Sequence, residues 1–188
     1  MAYTALLDAC VLYSAPLRDL LLRLAVTDLY RAKWSADIHS EWMRKLATNR
    51  TDIPTARIER LRELMDSGVR DALVENYAHL VPTLVLPDPD DRHVLAAAIV
   101  GRADLIVTFN LADFPSAALE PYGVEVQHPD EFLCHQLDLA PDLVRSVVRE
   151  LRAGLTNPPQ AADEYLATLA RHGLTAFADA LRSRIELL

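Results

Sequence analysis

The chain has 188 residues, of which 51% are hydrophobic and 24% are charged, and its formal net charge is −8. This length fits one ordinary domain with a small appendage, and so high an apolar content argues against disorder. The negative net charge argues against generic binding of polyanions, although a local basic stripe can still contact a nucleic acid.

The cysteines and the hydrophobic runs bear on where the protein works. Cys10 and Cys134 lie in apolar contexts, and no secretory cleavage pattern precedes the first apolar segment. We therefore expect a reduced, cytoplasmic protein. No uncharged apolar run approaches the roughly 18 residues needed to span a bilayer, since even LLLRLAV is interrupted by Arg23, so we expect no membrane partner.

The first eighty residues are predicted to form one strand followed by helices. Residues 4–7 are a short apolar run that Asp8 ends, as expected of a buried strand. Beyond it, apolar residues recur at helical spacing, with capping residues and prolines at the expected starts. The predicted helices cover residues 17–30, from Ser35 or Asp37 to 47, from Pro54 to near Gly68, and 70–80.

The middle of the chain alternates between strands and helices. Residues 81–86 are β-prone despite Pro82, and the later predicted elements are a helix over 90–101 and strands over 104–108 and 124–127. This alternation predicts an α/β fold with a parallel, doubly wound sheet. In such sheets, ligand sites lie beyond the carboxyl ends of the strands.

The last quarter of the chain is predicted to be purely helical. From about Pro141 one helix has a stripe of Val144, Val147, Val148 and Leu151, and two further helices begin near Asn157-Pro158 and Thr175, separated at Gly173. We therefore divide the chain into a main domain, residues 1–138, and a C-terminal helical extension, residues 139–188.

Four acidic residues lie at or near the ends of predicted elements: Asp8, Glu41, Asp91 and Asp113. A parallel sheet can gather the loops of the three aspartates at one edge, with Glu41 arriving from a crossover helix. Each carboxylate pair at ~4 Å would repel by roughly 4 kcal/mol at an effective dielectric of about 20. Such a cluster must take up protons or bind a divalent cation.

The four acids and the polar residues beside them also have purely structural explanations. Asp88 can cap a helix that Pro89 begins, with Asp91 as the capping-box partner. The remaining alternatives are turns at Asp8 and Asp113, an exposed helix position for Glu41, and a left-handed residue or Asx turn at Asn110.

Several other kinds of site are not supported. With five glycines the chain contains neither GxxxxGK[ST] nor GxGxxG, and no HExxH or GxSxG is present. The HSE triplet at 39–41 matches HxE, but no cysteine pair follows it as a zinc deaminase requires. We interpret Cys10 as a core residue and the histidines as surface or internally bonded residues.

Three segments carry a family resemblance: LLDACVLY, IHSEWMRKL and DPDDRHVLAAAIVGRADLIVTFNLADFP. With them the chain resembles the PIN domain, specifically the VapC-type toxin ribonucleases of bacterial toxin–antitoxin systems, over residues 4 to about 135. The resemblance implies a three-layer α/β/α fold with a central parallel sheet. The C-terminal helices look like an extension carried by one branch of PIN proteins.

The resemblance also implies a site that binds Mg²⁺ or Mn²⁺. By position, Asp8, Glu41 and Asp91 correspond to the family's first three acids. Asn110 stands where the fourth acid is usual, so Asp113 is the candidate replacement and the second metal position is in question. Thr108 matches the family's hydroxyl position, where it would orient a carboxylate or a metal-bound water.

The basic stripe over 44–62 contains six arginines and lysines against two acids. By itself it is typical of a solvated helix face. Beside an acidic nuclease site it becomes a candidate surface for the RNA backbone. The residues concerned are Arg44, Lys45, Arg50 and Arg57.

The function implied is a metal-dependent endoribonuclease, a hydrolase that leaves a 5′-phosphate, acting as the toxin of a bacterial pair. Its expected partners are RNA, a small antitoxin protein and a second copy of the chain. Asn110 favours one alternative, a catalytically inactive PIN-fold module that binds RNA or a protein. A phosphatase with Asp8 as nucleophile is another, disfavoured because Cys10 stands where a second aspartate is needed.

Overall fold

A parallel sheet of five strands forms the centre of the protein. The computed structural model describes residues 3–183 and 185–188. The strands are β1 (Thr4–Leu7), β2 (Arg31–Ser35), β3 (Leu73–Val74), β4 (Leu105–Val107) and β5 (Glu125–Gln127). Their order is β3-β2-β1-β4-β5, and every neighbouring pair is parallel. The predicted α/β class and parallel sheet are confirmed.

The two central strands are covered on both faces. Ala5, Leu6 and Leu7 are all 0% exposed, and the residues of β4 are buried as well. Because successive side chains of a strand point to opposite faces, burial of consecutive residues requires helices on both sides of the sheet. This is the predicted three-layer α/β/α arrangement.

The helices follow the strands in chain order. In the described residues they are α1 (Ala9–Tyr13), α2 (Ala15–Val26), α3 (Ala36–Asn49), α4 (Thr55–Gly68), α5 (Arg92–Val100), α6 (Ser116–Leu119), α7 (Pro129–Leu139), α8 (Pro141–Gly154), α9 (Ala162–Arg171) and α10 (Thr175–Arg182). Short 3-10 turns cover Val81–Thr83, Pro89–Asp91, Leu111–Asp113, Glu120–Tyr122 and Ile185–Leu187.

Several predicted helix ends are confirmed. The Ser35 side chain caps α3 by accepting a hydrogen bond from the Ile38 amide at 3.2 Å. Pro54 directly precedes α4, which ends at Gly68, and Gly173 separates α9 from α10. The start predicted at Asn157-Pro158 is wrong, since α9 begins only at Ala162.

Two other predictions fail between α4 and α5. Residues 70–80 do not form a helix, because Asp71 and Asn76 have φ of 54° and 61°, which a right-handed helix excludes. Residues 81–86 do not form a strand; they begin as a 3-10 turn around Pro82, which has no amide hydrogen for a strand ladder. The strand in this region is β3, which pairs with β2.

The strand β2 was missed because the helix predicted over 17–30 ends early, at Val26. Asp28 then has a φ of 60°, which ends helical geometry and redirects the chain into β2. The charged side chains of Arg31 and Lys33 weaken the strand pattern in the sequence, and both are at least partly exposed.

The strand order reverses between β1 and β4. From β1 the chain builds outward through β2 and β3, whereas β4 and β5 lie on the other side. The loops that leave the carboxyl ends of β1 and β4 therefore diverge and leave a crevice, the usual place for a site in an open parallel sheet. Asp8 and Thr108 are the first residues after these two strands.

The C-terminal helices pack against the rest of the protein. α8 contacts α2 and α7, α9 contacts α2, and α10 contacts α7 and α9. Leu166, Leu169 and Phe177 are 0% exposed and belong to the same hydrophobic core as the sheet. The division at 138/139 stays a prediction. Within the described ranges, no helix is both long and apolar enough to cross a membrane.

Candidate functional site

Asp8 is held by hydrogen bonds at the junction of the two central strands. It is 4% exposed, and its Oδ1 accepts a hydrogen bond from the Ala9 amide at 2.7 Å, which caps α1. Its Oδ2 accepts a hydrogen bond from Thr108 Oγ1 at 2.7 Å, and Thr108 is fully buried. The carboxylate is thereby fixed in place. The contact is the one that the predicted orienting role of Thr108 requires.

Asp91 experiences the charges of the other acids. It ends the 3-10 turn before α5 and is half-buried. Its pKa rises from 3.8 to about 6, first because burial disfavours the charged form and then because of the negative charges of Asp8, Asp113, Asp88 and Glu41. The structure thus brings the four predicted acids into one electrostatic environment.

The turn before α5 is capped as predicted, but Asp91 does not contribute to the cap. Asp88 Oδ1 accepts a hydrogen bond from the Asp90 amide at 2.9 Å, and Pro89 is the first residue of the turn. The capping-box role predicted for Asp91 is wrong, because Asp91 stands at the N-cap of α5 with no side-chain capping bond. Its carboxylate is therefore not used by helix capping.

Glu41 is bound by a histidine that the sequence analysis did not single out. Glu41 Oε1 lies 2.6 Å from Nε2 of His93, whose side chain is 12% exposed. Burial lowers the pKa of His93, but the hydrogen bond to Glu41 and the charges of Glu41, Asp37 and Asp8 outweigh it, so the pKa is raised. The raised pKa favours the protonated form of His93 in this hydrogen-bonded pair with Glu41. In the sequence, the signal that could have identified His93 is its position two residues after Asp91.

Cys10 is partly buried and packs against the hydrophobic core, in line with the sequence prediction, and it is also a contact of the site. Its Sγ lies 3.2 Å from Asp8 Oδ2 and 3.3 Å from Thr108 Oγ1, and it accepts a hydrogen bond from the Phe109 amide at 3.4 Å. Burial, followed by the charge of Asp8, raises the pKa of the thiol to about 12. Cys10 is therefore a protonated thiol at neutral pH.

Asn110 and Asp113 lie in the loop after β4. The Asn110 amide donates to Thr108 Oγ1 at 3.0 Å. Asn110 has a φ of −94° and no side-chain capping bond, so neither the left-handed residue nor the Asx turn is observed. Asp113 ends a 3-10 turn, is half-buried and acts on Asp91 through its charge. Asn110 is uncharged, so of these two residues only Asp113 can add a negative charge to those of Asp8, Glu41 and Asp91.

The acids have suitable chemistry for a hard cation but are not arranged as a finished set of ligands. Among residues 3–183 and 185–188, no three His, Cys, Asp or Glu side chains form a metal-binding group. The raised pKa of Asp91 comes from burial and then from the charges of nearby acids, neither of which requires contact, whereas coordination needs oxygens at roughly 2.0–2.6 Å from the ion. Asp8 retains further lone pairs for a cation, while Glu41 is committed to His93.

Three of the predicted RNA-backbone residues lie on two helices, and Arg50 directly follows α3. Arg44 and Lys45 are exposed on α3, the helix that carries Glu41, and Lys45 Nζ lies 5.0 Å from the centre of the Tyr13 ring on α1. Arg50 makes two hydrogen bonds to Asp52, at 2.8 and 2.7 Å, which offset its charge. Arg57 is exposed on α4.

Two family models match this chain. Residues 4–112 match the model described as the PIN domain, and residues 129–183 match the model described as the VapC50 C-terminal domain. The first match includes all the predicted acids except Asp113, which lies one residue beyond it. The second includes the whole of α7, α8, α9 and α10.

A relative from Mycobacterium tuberculosis (strain ATCC 25618 / H37Rv), named "Putative ribonuclease VapC50", is 48% identical to this chain over 69 residues. The aligned stretch covers 37% of this chain and 41% of the relative, so the match spans less than half of the relative's length. No solved structure matches this chain significantly.

Proposed function

Because this chain belongs to the PIN-domain family, we propose that it is a metal-dependent endoribonuclease, acting as the toxin of a bacterial toxin–antitoxin pair. One observation carries the proposal: Asp8 is fixed by Thr108 where β1 and β4 end, next to a second acid, Asp91. Burial first, and then the charges of Asp8, Asp113 and Glu41, raise the pKa of Asp91. An acidic cluster of this kind at the sheet crevice suits a hard divalent cation. The name of the mycobacterial relative gives the same reaction class.

The contacts of each acidic residue indicate the role it would have in this reaction. Asp8 and Asp91 would hold Mg²⁺ or Mn²⁺, with Asp113 completing the acidic set and Glu41 contributing once it separates from His93. A bound ion would supply a water of lowered pKa and charge stabilisation at the phosphate. Thr108 orients Asp8, and His93 holds Glu41. Hydrolysis of the phosphodiester bond would leave a 5′-phosphate.

The basic side chains would counter the repulsion between RNA and the acidic cluster. Arg44 and Lys45 are exposed on the helix of Glu41 and are the leading candidates for backbone contacts. Arg50 would contribute less, because Asp52 already neutralises it. Such contacts position a nucleic acid without specifying its sequence.

The proposed partners follow from the same function. A small antitoxin protein would cover the acidic crevice and neutralise it, for example with an arginine. A homodimer and a cytoplasmic location complete the proposal. Copurification with a co-expressed antitoxin would test the antitoxin partner, and sizing of the isolated chain would test the homodimer.

One alternative is favoured by specific observations. Asn110 stands where a fourth acid is usual, and Glu41 is bound to His93. Both fit a catalytically inactive PIN-fold module that binds RNA or a protein. Tight RNA binding together with no measurable affinity for Mn²⁺ would support the alternative over the nuclease.

The test of the nuclease is metal-dependent cleavage of end-labelled RNA by Asp8→Asn and Asp91→Asn. Each substitution removes one charge from the cluster and should lower the cleavage rate about 100-fold or more. Asp90→Asn is the matched control, since Asp90 is an exposed acid of the same turn. Unchanged cleavage by folded Asp8→Asn protein would refute the nuclease.

A further inference from the structure

The turn between α9 and α10 touches the loop that follows β4. Gly173, in this turn, has a φ of 88°. A Cβ at this position would lie 2.7 Å from Cε1 and 3.3 Å from Cζ of Phe109. The ring of Phe109 is also edge-on to His128, with the ring centres 5.0 Å apart. Gly173 and His128 therefore both confine Phe109.

Phe109 is connected to the acidic site through its own backbone. It lies between Thr108 and Asn110, and its amide donates to Cys10 Sγ at 3.4 Å. The next amide, of Asn110, donates to Thr108 Oγ1 at 3.0 Å, and that hydroxyl donates to Asp8 Oδ2 at 2.7 Å. A displacement of Phe109 would therefore disturb the groups that orient Asp8.

The turn that confines Phe109 is itself anchored. His172 Nδ1 lies 2.9 Å from Oγ of Ser14, the residue that follows α1. Asp130 in α7 accepts hydrogen bonds from the amides of Ala176 and Phe177 at 2.9 and 2.8 Å, which fixes the start of α10. The turn is thus held on both sides of Gly173.

We propose that the α9–α10 turn is a positioning element of the metal site. Gly173 allows the turn to press against Phe109, and this contact keeps the Thr108 hydroxyl aligned with Asp8. The C-terminal helices therefore act on the site through Phe109 and do not touch the reacting atoms. The inference rests on the nuclease function proposed above.

The test compares two glycine substitutions in the full-length protein. Gly173→Ala adds a Cβ against Phe109 at a positive φ, whereas Gly123→Ala adds one at a φ of 65° with nothing within 4 Å. The control thus carries the backbone strain without the collision. Gly173→Ala should weaken Mn²⁺ binding, measured by calorimetry, and lower kcat for RNA cleavage, each about tenfold. In Gly173→Ala the KM for RNA should change by less than about twofold. In Gly123→Ala the Mn²⁺ affinity, kcat and KM should each change by less than about twofold.

A rescue experiment separates positioning from a general loss of stability. Leucine lacks the distal ring atoms of Phe109 that the new Cβ would meet, so in a Phe109→Leu background Gly173→Ala should cost less than about twofold in Mn²⁺ affinity. If Gly173→Ala protein does not fold, Phe109→Ala tests the same contact without added bulk and should weaken Mn²⁺ binding about tenfold.

Two results would overturn the inference. One is a folded Gly173→Ala protein with the Mn²⁺ affinity and kcat of the unmodified chain. The other is a Gly173→Ala substitution that weakens Mn²⁺ binding equally in the unmodified chain and in the Phe109→Leu background. Failure of the nuclease proposal is recognised separately, by unchanged cleavage in Asp8→Asn or by a lack of Mn²⁺ binding in the unmodified chain.

Discussion

Asp91 illustrates how a single side chain reports on its surroundings. Its pKa is raised to about 6, first because burial disfavours the charged form and then because the neighbouring acids repel a further negative charge, although Asp91 is only half-buried. The ordinary surroundings of a carboxylate in a folded protein do the opposite and lower its pKa. An acid kept in an unfavourable environment is a frequent feature of functional sites.

This environment predicts a pH-dependent effect of Asp91→Asn on the metal-free protein. The pKa of Asp91 in the folded state lies above the unfolded value of 3.8, so its ionisation destabilises the fold. This destabilisation grows as the pH rises from 3.8 to about 6 and stays constant at higher pH. The variant should therefore have the higher unfolding midpoint at about pH 8, and the difference should shrink towards about pH 4. Thermal unfolding in chelator at several pH values measures this.

Two further comparisons make this experiment decisive. Asp90→Asn should show no such pH-dependent gain, because Asp90 is not among the charges acting on Asp91. Addition of Mn²⁺ should stabilise the unmodified chain more than Asp91→Asn. A lower midpoint for Asp91→Asn than for the unmodified metal-free chain at about pH 8 would contradict the description of the cluster.

The helix α3 shows how one element carries a site residue into place. Ser35 ends β2 and caps α3, so the start of the helix is fixed to the carboxyl edge of the sheet. Ile38 and Trp42 are buried along one face, and Glu41 lies beside that face, in reach of His93 on α5. Cap and apolar face together direct Glu41 toward the crevice.

Loss of this cap should destabilise the protein measurably. Ser35→Ala leaves the buried Ile38 amide without its acceptor and should lower the free energy of unfolding by about 1 kcal/mol, up to about 2. Ser40→Ala is the control within the same helix, because exposed Ser40 donates only to the Ala36 carbonyl, and it should change stability by less than about 0.5 kcal/mol. Urea denaturation measures both, and equal effects would contradict the capping role.

In the part of the chain that the structure describes, one hydrophobic core includes the C-terminal helices as well as the sheet. Leu169 on α9 and Phe177 on α10 are 0% exposed and belong to the same cluster as Leu6 on β1. Because of this shared packing, we expect the appendage to unfold together with the sheet. It also gives the α9–α10 turn the fixed position that contact with Phe109 requires.

This coupling can be tested because both tryptophans, Trp34 and Trp42, lie in β2 and α3, away from the appendage. Leu169→Ala should lower the free energy of unfolding by about 2–5 kcal/mol and should shift the tryptophan fluorescence transition with it. Leu139→Ala, at a position 64% exposed, should shift that transition by less than about 0.5 kcal/mol. A fluorescence midpoint unaffected by Leu169→Ala would mean that the appendage unfolds independently.

The amino-acid order alone was sufficient for the parallel α/β architecture, and it singled out the acids that we propose for its crevice. Apolar periodicity, capping residues and turn-forming residues are properties of neighbouring positions, so the run before Asp8, the Ser35 cap and the break at Gly173 were all readable. The same local patterns were misleading where charged residues occupy a strand, as in β2, or where residues such as Asp71 adopt a positive φ.

The contacts that shape the site join residues far apart in the chain, and no local pattern encodes them. Glu41 meets His93 across 52 positions, and Cys10 meets Thr108 across 98. The contact between Gly173 and Phe109 likewise depends on how α9 and α10 pack against α7 and α2. Spacing in the sequence limits which side chains can share a face, but the packing of separate elements determines which of them touch.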